Sequence, residues 1–257
     1  MLPADVSDIT ERLRAAGCVF AEDEARLLAG ASSSPDEVEA LVSRRVAGEP
    51  LEQILGWAEF CGERVAVEPG VFVPRRRSEL LVDVTVGLLE GERVVLVDLC
   101  CGCGAIGRAV ARRAGVELHA ADVDAAAVRC ARANLDGLGT VHEGDLFDAL
   151  PDDLRGRVDV VVVNAPYVPT YAIAAMPPEA RDHEPRVALD GGADGVDVHR
   201  RVIDGVHAWL RPAGHLVIET GREQSALTVA AMEQAGLTAE VVTDDDRDAT
   251  AVVGVRR

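Results

Sequence analysis

Apolar residues recur at helical spacing in three segments near the start of the chain. These segments are residues 4–16, 21–31 and 35–47. The third has a helix start signal in Ser34 and Pro35 and a stop signal in Gly48. The pattern predicts a small N-terminal helical domain over residues 1–50.

Between residues 51 and 77 the pattern changes to short apolar segments interrupted by glycine. The stretch EFCGERVAVEPGVFVP predicts one or two β-hairpins, with turns at residues 61–63 and 68–70. We expect this segment to link the helical domain to the rest of the chain.

From Ser78 onward, short apolar runs rich in β-branched residues alternate with amphipathic segments. The predicted strands are residues 93–98, 116–121, 139–143, 158–163, 213–219, 237–243 and 249–255. The predicted helices are residues 78–90, 105–114, 124–137, 195–210 and 222–235. This alternation predicts an α/β domain over residues 78–257, with a mainly parallel sheet covered by helices on both faces. Because ligands of such sheets bind beyond the carboxyl ends of the strands, functional residues are expected there.

Composition limits the kinds of partner that the chain can bind. Its 257 residues include 44 Asp and Glu against 26 Lys and Arg, a formal net charge of −18. Non-specific binding to nucleic acid depends on clustered cations, so direct nucleic-acid binding is not expected. No apolar run approaches the roughly 20 residues of a membrane span. The N-terminus also lacks the basic and apolar regions of a secretion signal, so we expect a cytoplasmic protein without membrane contact.

The cysteines predict neither a disulfide scaffold nor a metal site. They lie at positions 18, 61, 100, 101, 103 and 130. A chain of this length without a secretion signal is not typical of disulfide scaffolds. Cys100, Cys101 and Cys103 lack a second cysteine pair at ligand spacing, so no metal is predicted.

The first strand of the α/β domain leads into a glycine-rich turn. Asp98 ends the strand, and Gly102 and Gly104 let the backbone turn tightly before a helix begins at Ala105. With Gly107, these glycines also form the G-x-G-x-x-G spacing of dinucleotide-binding folds. The turn alone therefore leaves the class of cofactor open.

Acidic residues also end the next two strands. Asp122 could accept hydrogen bonds from both hydroxyls of a ribose. Asp145 could accept one from an exocyclic amine such as that of adenine. Each aspartate could instead cap a helix or a turn. Acidic residues at three successive strand ends exceed what capping requires, which favours a ligand containing a nucleoside.

The fourth strand runs into Asn164, Ala165, Pro166 and Tyr167. By itself, Asn164 could close an Asx turn and the proline could merely stop the strand. Together with the acidic strand ends, the tetrapeptide resembles the Asn-Pro-Pro-Tyr signature of enzymes that methylate planar amino groups. Those groups are protein glutamine amides or the exocyclic amines of nucleic-acid bases. The chain from about Ser78 onward thus resembles the class I methyltransferases that use S-adenosylmethionine.

Four further stretches are similar to segments of the PrmC/HemK-like protein-(glutamine) methyltransferases, which include the release-factor enzymes. They are PLEQILGWAEFCG, VFVPRRRSELLV, EPRVALDGGADGVDVHRRVI and GHLVIETGREQ. The resemblance implies a Rossmann-like, seven-stranded class I methyltransferase sheet preceded by a helical substrate-recognition domain and a β-hairpin linker. It also implies S-adenosylmethionine as cofactor, S-adenosylhomocysteine as product and a protein substrate that presents a glutamine. We expect the protein to be a monomer.

The resemblance also implies roles for individual residues. In the family, an asparagine side-chain oxygen and the next main-chain carbonyl accept hydrogen bonds from the two N–H groups of the target amide. Carried over, the acceptors are Asn164 Oδ1 and the carbonyl of Ala165, with Pro166 and Tyr167 completing the catalytic motif. The residues implied at the cofactor are Asp98, Cys100, Cys101, Gly102, Cys103, Gly104, Asp122, Val123, Asp145, Leu146 and Asn164.

The chain departs from the family pattern at three places. Ala165 replaces the first proline of the signature, and Cys100 replaces the first glycine of the cofactor loop. The linker's usual Pro-Arg-Pro-Glu-Thr reads Pro-Arg-Arg-Arg-Ser over residues 74–78. This combination resembles a sub-branch that is related to, but distinct from, the release-factor and ribosomal-protein enzymes. The arginines fit an acidic group near the target or, equally, a solvated surface run.

Two other functions stay open on the sequence alone. Methylation of an adenine amine in DNA or RNA would use the same four-residue geometry, although the net charge opposes it. A non-catalytic S-adenosylmethionine-binding protein would account for the three departures. The presence of the acidic strand ends and Asn164 argues against the loss of catalytic function.

Overall fold

The computed structural model describes residues 6–91 and 93–257. Its N-terminal part contains the helices α1 Val6–Ala15, α2 Ala21–Gly30, α3 Pro35–Val46 and α4 Leu51–Leu55. The first three agree with the predicted helices, and the predicted start at residues 4 and 5 lies outside the described residues. Their shared core buries Ile9, Leu13, Leu28 and Val42, the positions that the helical spacing brings to one side.

Helix α4 was not predicted, because the segment PLEQIL is too short to show a helical period. Ile54 of this helix packs into the core of α1 to α3. The residues assigned to the start of the linker therefore pack with the helical unit. The division of the chain at residues 50 and 77 stays a prediction.

The linker contains one hairpin in place of the two that its turns allowed. Strands β1 Trp57–Phe60 and β2 Glu63–Ala66 pair antiparallel around a turn with positive φ at Cys61 and Gly62. The second predicted turn is present, since the Val71 N–H donates to the Glu68 carbonyl at 3.1 Å. Within the described residues, however, no pair of strands flanks it.

The α/β part is a seven-stranded sheet in the order β5-β4-β3-β6-β7-β9-β8, with β9 antiparallel to both of its neighbours. Its strands are β3 Val94–Leu99, β4 Val116–Asp122, β5 Gly139–Glu143, β6 Val158–Val163, β7 Leu210–Glu219, β8 Leu237–Asp244 and β9 Ala249–Arg256. The remaining helices are α5 Glu79–Leu88, α6 Ala105–Arg113, α7 Ala125–Asn134, α8 Pro178–His183, α9 Asp197–Val206 and α10 Ser225–Gln234. The predicted class, a Rossmann-like class I methyltransferase sheet, is confirmed. Among the described residues, no helix is long and apolar enough to cross a membrane.

The position of β3 and β6 explains where a ligand can bind. These neighbours lie at the centre of the sheet, where the strand order reverses. Every residue of β3 is buried, and residues 160–163 of β6 have no exposed surface. Helices cover both faces, which is why these strands read as continuous apolar runs. Their carboxyl ends bring the residues after Leu99 and Val163 to the same edge.

One buried ion-pair cluster joins the helical unit to the α/β part. Arg45 is 4% exposed and its Nε donates to Glu24 at 2.6 Å. Its Nη2 is also 2.6 Å from a carboxylate oxygen of Glu179, in α8. This cluster connects α3 to the segment that follows the Asn-Ala-Pro-Tyr motif.

Candidate active site

A cavity of about 190 Å³ opens at the carboxyl ends of β3, β4 and β6. The predicted site residues that line it are Cys100, Cys101, Gly102, Cys103, Asp122, Val123, Asp145, Leu146, Asn164, Ala165, Pro166 and Tyr167. Two predicted cofactor residues, Asp98 and Gly104, are not among its lining residues. The fold thus brings together segments that lie more than 60 residues apart in the chain.

Asp98 lies beneath the cavity, where it holds the start of α6. Its carboxylate has no exposed surface, and Oδ2 accepts a hydrogen bond from the Gly107 N–H at 2.8 Å. A Cβ at Gly107 would come within 2.9 Å of that oxygen. The third glycine of the G-x-G-x-x-G spacing is therefore needed for this close approach. Burial raises the pKa of Asp98 to about 7.

The loop between β3 and α6 turns through residues with left-handed backbone. Cys100 and Gly102 both have φ near +55°, and Gly104, the N-cap of α6, has φ +78°. The Gly102 N–H donates to Asp122 Oδ2 at 2.9 Å, which ties the loop to the end of β4. Burial raises the pKa of the Cys100 thiol, so the thiol stays neutral and is a poor nucleophile. The described residues contain no group of three His, Cys, Asp or Glu able to hold a metal.

Asp122 is the carboxylate best placed for a diol. Its Oδ1 accepts from the Asp124 N–H at 2.9 Å, so both carboxylate oxygens are fixed by backbone donors. Each oxygen keeps a further lone pair for a ligand. Desolvation by burial raises its pKa, partly offset by these backbone hydrogen bonds.

Asp145 has a different environment from the one expected. Its Oδ2 accepts a hydrogen bond from Arg201 Nη2 at 2.6 Å, and about half of its side-chain surface is exposed. Arg201, from α9, also lines the cavity. The other carboxylate oxygen, Oδ1, is not bonded to Arg201 and could accept from an exocyclic amine.

Asn164 directly follows β6, and its side-chain amide is fixed on one side. Its Nδ2 donates to Ser78 Oγ at 3.2 Å, and Ser78 itself is 1% exposed. Since the nitrogen is engaged, Oδ1 is the atom left to accept from a ligand. The next residue, Ala165, is 1% exposed, and its carbonyl oxygen has no hydrogen bond within the described part of the chain.

Tyr167 is held at both ends. Its hydroxyl donates to Glu219 Oε1 at 3.2 Å, and its carbonyl accepts from Gln224 Nε2 at 2.8 Å. The Arg77 guanidinium lies 5.8 Å from the centre of its ring. Burial, followed by the nearby Glu219 carboxylate, raises the pKa of the Tyr167 hydroxyl. The ring is therefore neutral and rigidly placed.

A glycine-rich turn packs directly on this motif. A Cβ at Gly191 would lie 2.7 Å from the Pro166 carbonyl oxygen. A Cβ at Gly195, where φ is +81°, would lie 2.3 Å from the Tyr167 carbonyl oxygen. Glycine at these positions lets the GGADG segment pack against the Asn-Ala-Pro-Tyr motif.

Sequence reasoning did not single out several residues that shape the site. They are Ser78, Glu184, Arg201, Glu219 and Gln224. All five lie in the stretches that carried the family resemblance. No local pattern, however, links any of them to its partner in the cavity wall.

Comparisons with known proteins identify the family of the chain. Residues 63–176 match the family model of the methyltransferase small domain. The chain is 35% identical over 230 residues to the release factor glutamine methyltransferase of Geobacter sulfurreducens, covering 87% of this chain and 80% of that one. It is 38% identical over 238 residues to the Streptomyces coelicolor protein of the same name, covering 85% and 84%.

A third relative has a different printed substrate. It is the 4-amino-L-phenylalanine/4-methylamino-L-phenylalanine methyltransferase of Streptomyces pristinaespiralis, 35% identical over 203 residues and covering 76% of this chain and 69% of that one. Among solved structures, a methyltransferase from Pyrococcus furiosus has a TM-score of 0.59 at 14% identity, covering 85% of this chain and 97% of that one. This last likeness shows the shared fold.

The sheet order and the cavity at the ends of its central strands define a class I methyltransferase that uses S-adenosylmethionine. Within this class, the sequence identity to these relatives and the share of each chain that is aligned define a narrower family. The chain belongs to the release factor glutamine methyltransferase, or PrmC/HemK-like, family.

Proposed function

We propose that the protein transfers a methyl group from S-adenosylmethionine to the side-chain amide nitrogen of a glutamine in a protein substrate. The observation that carries the proposal is the oriented amide of Asn164, whose nitrogen is bound to Ser78 while Oδ1 remains for a ligand. The substrate would be a release factor, a ribosomal protein or another protein with an accessible glutamine.

The residues around the cavity fit the cofactor chemically. Asp122 offers carboxylate lone pairs for two ribose hydroxyls, and the free oxygen of Asp145 could accept from the adenine amine. Val123, 54% exposed at the cavity wall, and Leu146 would provide apolar contacts for the purine. A Cβ built at Gly102 would meet nothing within 4 Å, so the loop leaves room for a ligand at its backbone. When bound, the cofactor supplies an electrophilic methyl group on a positively charged sulfur.

The chain's own task is to position the acceptor nitrogen. An amide nitrogen is a poor nucleophile because its lone pair is delocalised into the carbonyl. Asn164 Oδ1 and the Ala165 carbonyl would accept its two N–H groups, while the Tyr167 ring would lie against the planar amide. Positioning of this kind contributes roughly 7–11 kcal/mol in favourable cases. The contacts of Tyr167 with Glu219 and Gln224 provide the rigidity that such positioning needs.

The proposal is tested with purified protein, labelled S-adenosylmethionine and peptides that contain one glutamine. We expect label on the glutamine amide, and we expect Asn164→Ala to lower turnover on the order of 100-fold or more. Cofactor affinity, measured by calorimetry, should weaken only modestly in this variant. Full turnover by Asn164→Ala would overturn the assigned role. Label on a metabolite and on no polypeptide of the organism's own lysate would overturn the protein substrate.

A second candidate is methylation of a small aromatic amine. It is favoured by the relative whose printed name gives 4-amino-L-phenylalanine as substrate. An arylamine is planar, like an amide, and could use the same two acceptors. Offering 4-amino-L-phenylalanine and an adenine-containing oligonucleotide beside the peptides ranks the candidates by kcat/KM. Cofactor binding without transfer to any of them would indicate a non-catalytic protein.

The organisation of the chain completes the proposal. We assign residues 1–50 to substrate recognition, residues 51–77 to the linker and residues 78–257 to methyl transfer. We further propose that the protein acts in the cytoplasm as a monomer. Supporting this arrangement, the Arg45 cluster joins the helical unit to α8 beside the cavity wall.

A further inference from the structure

We propose that the cavity selects a glutamine with a carboxylate group next to it, recognised by the arginines of the linker. The carboxylate would be the side chain of an adjacent acidic residue or the terminal carboxylate of the substrate. This inference rests on the proposed glutamine methylation and names the chemistry of the neighbouring group.

The linker arginines present their charges toward a ligand while their partners are buried. The Arg75 side chain is 34% exposed, whereas its partner Glu184 is 1% exposed, with Nη2 and Oε1 2.5 Å apart. The Arg77 side chain is 44% exposed, whereas its partner Glu219 is 4% exposed. In each pair the guanidinium is therefore more accessible to a ligand than the carboxylate.

The two paired arginines belong to the cavity and not to an open surface. Arg75 and Arg77 both line it, on the wall that also carries Asn164 and Tyr167. The position of Arg77, 5.8 Å from the ring centre of Tyr167, places its charge beside the motif that would hold the target amide. A group attached one residue away from the target glutamine would lie within reach of this wall.

Arg77 also keeps donors for a ligand. Its Nε is 3.4 Å from Glu219 Oε1, longer than the 2.7–2.9 Å typical of charge-assisted hydrogen bonds. Burial lowers the pKa of Arg77, whereas interactions with the Tyr167 and Glu219 side chains raise it, so the guanidinium contacts both of these residues. A guanidinium has five N–H donors in one plane, so these two contacts leave donors that match the two oxygens of a carboxylate.

The neighbouring Arg76 adds charge without compensation. It is exposed, and within residues 6–91 and 93–257 it makes no ion pair. The chain as a whole carries −18, so its long-range field repels an acidic segment. Attraction must therefore come from short-range contacts with these arginines, and it should weaken as salt screens the charges.

The test compares peptides that differ only in the group beside the glutamine. The full-length protein is given Ac-Gly-Asp-Gln-Gly-NH2 and its uncharged isostere Ac-Gly-Asn-Gln-Gly-NH2, and the same pair with Asp or Asn after the glutamine. A further pair, Ac-Gly-Asn-Gln-OH and Ac-Gly-Asn-Gln-NH2, tests the terminal carboxylate. We expect kcat/KM to be about 5- to 20-fold higher for the better acidic member of at least one pair, mainly through KM.

Matched variants assign that preference to the arginines. Arg77→Gln should reduce the ratio within the preferred pair to below about twofold, and the ratio cancels any general loss of activity. Arg132→Gln is the control, because it removes one positive charge at an exposed site outside the cavity. If Arg77→Gln fails to fold, Arg76→Gln and a rise to 0.5 M salt in the wild type should each lower the same ratio.

The outcomes separate the two proposals. Methylation of acidic and uncharged peptides at equal kcat/KM would overturn this inference alone. The inference would also be overturned if Arg132→Gln lowered the ratio within the preferred pair as much as Arg77→Gln does. The preference would then come from long-range charge. Methylation of no peptide would overturn the glutamine substrate itself and this inference with it.

Discussion

The amide nitrogen of Asn164 donates to the hydroxyl oxygen of Ser78 at 3.2 Å, across 86 residues of sequence. Burial raises the pKa of the Glu219 carboxylate, and the Ser78 hydroxyl acts to lower it. An amide NH2 group can only donate, so the Ser78 oxygen accepts from Asn164. This direction leaves Asn164 Oδ1 toward the cavity.

Removal of the Ser78 hydroxyl should therefore impair turnover more than binding. In Ser78→Ala the Asn164 amide loses the partner that sets its orientation, and we expect kcat to fall roughly tenfold, equivalent to about 1.4 kcal/mol. The Kd for S-adenosylmethionine should change by less than about twofold. Steady-state methyl transfer and calorimetry measure the two effects. Ser78→Thr keeps the hydroxyl and should retain most of the activity; equal kcat for both variants would contradict the role.

The buried Asp98 should make stability depend on pH. Its pKa is raised to about 7 in the folded state from 3.8, so the folded state binds this proton more tightly. Its contribution to stability is then present at low pH and is lost as pH rises from about 4 to about 7. Between pH 5 and pH 8 we expect Asp98 to lower the free energy of unfolding by roughly 2–3 kcal/mol.

Urea unfolding of Asp98→Asn at several pH values checks this expectation. The amide can still accept from the Gly107 N–H, and it cannot ionise. The difference in stability between wild type and variant should shift in favour of the variant as pH rises. Asp246→Asn, at an exposed turn, is the control and should follow the wild-type curve. If the difference in stability between the wild type and Asp98→Asn does not change with pH, the raised pKa of Asp98 is contradicted.

Loss of Arg45 should destabilise the protein strongly. Arg45→Met leaves the buried Glu24 carboxylate without its partner, and we expect a loss of about 3–5 kcal/mol in urea unfolding. Substitution of the adjacent Arg44, whose side chain is 40% exposed and paired with Glu49, is a matched control. It should lower the free energy of unfolding by at most about 1 kcal/mol. Combining Arg45→Met with Glu24→Gln should recover part of the loss. Equal effects of the Arg44 and Arg45 variants would show that the cluster is not effectively buried.

Gly195 should be required for activity because of its neighbours as well as its backbone. In Gly195→Ala the new Cβ would lie 2.0 Å from Gln224 Nε2, so the contact that holds Tyr167 must shift. Gly56 also has positive φ, +79°, but a Cβ there would meet nothing within 4 Å. Gly56→Ala should cost about 1 kcal/mol of stability and leave kcat unchanged. We expect Gly195→Ala to lower kcat at least tenfold, roughly 1.4 kcal/mol, and an unchanged kcat would show that the turn does not support the motif.

The linker arginines show what the sequence alone predicts and what only the structure determines. On the sequence alone, Arg75 and Arg77 fitted an acidic ligand and a solvated surface equally well. Their partners, Glu184 and Glu219, follow 109 and 142 residues later. No pattern of local spacing can identify such pairs, because they depend on how β7 and the segment after α8 pack against the linker.

Periodicity predicted the helices of residues 6–46 and the buried strands of the sheet, because burial repeats with the geometry of each element. The acidic and amide residues at strand ends predicted the place of the site, since parallel strands bring their carboxyl ends to one edge. Only the tertiary structure distinguished Asp98 from Asp122, which read alike in sequence. Helix α6 packs on the first and donates the Gly107 N–H to it, whereas the second lies at the cavity wall. That difference arises from packing between elements, which the pattern of a single strand does not contain.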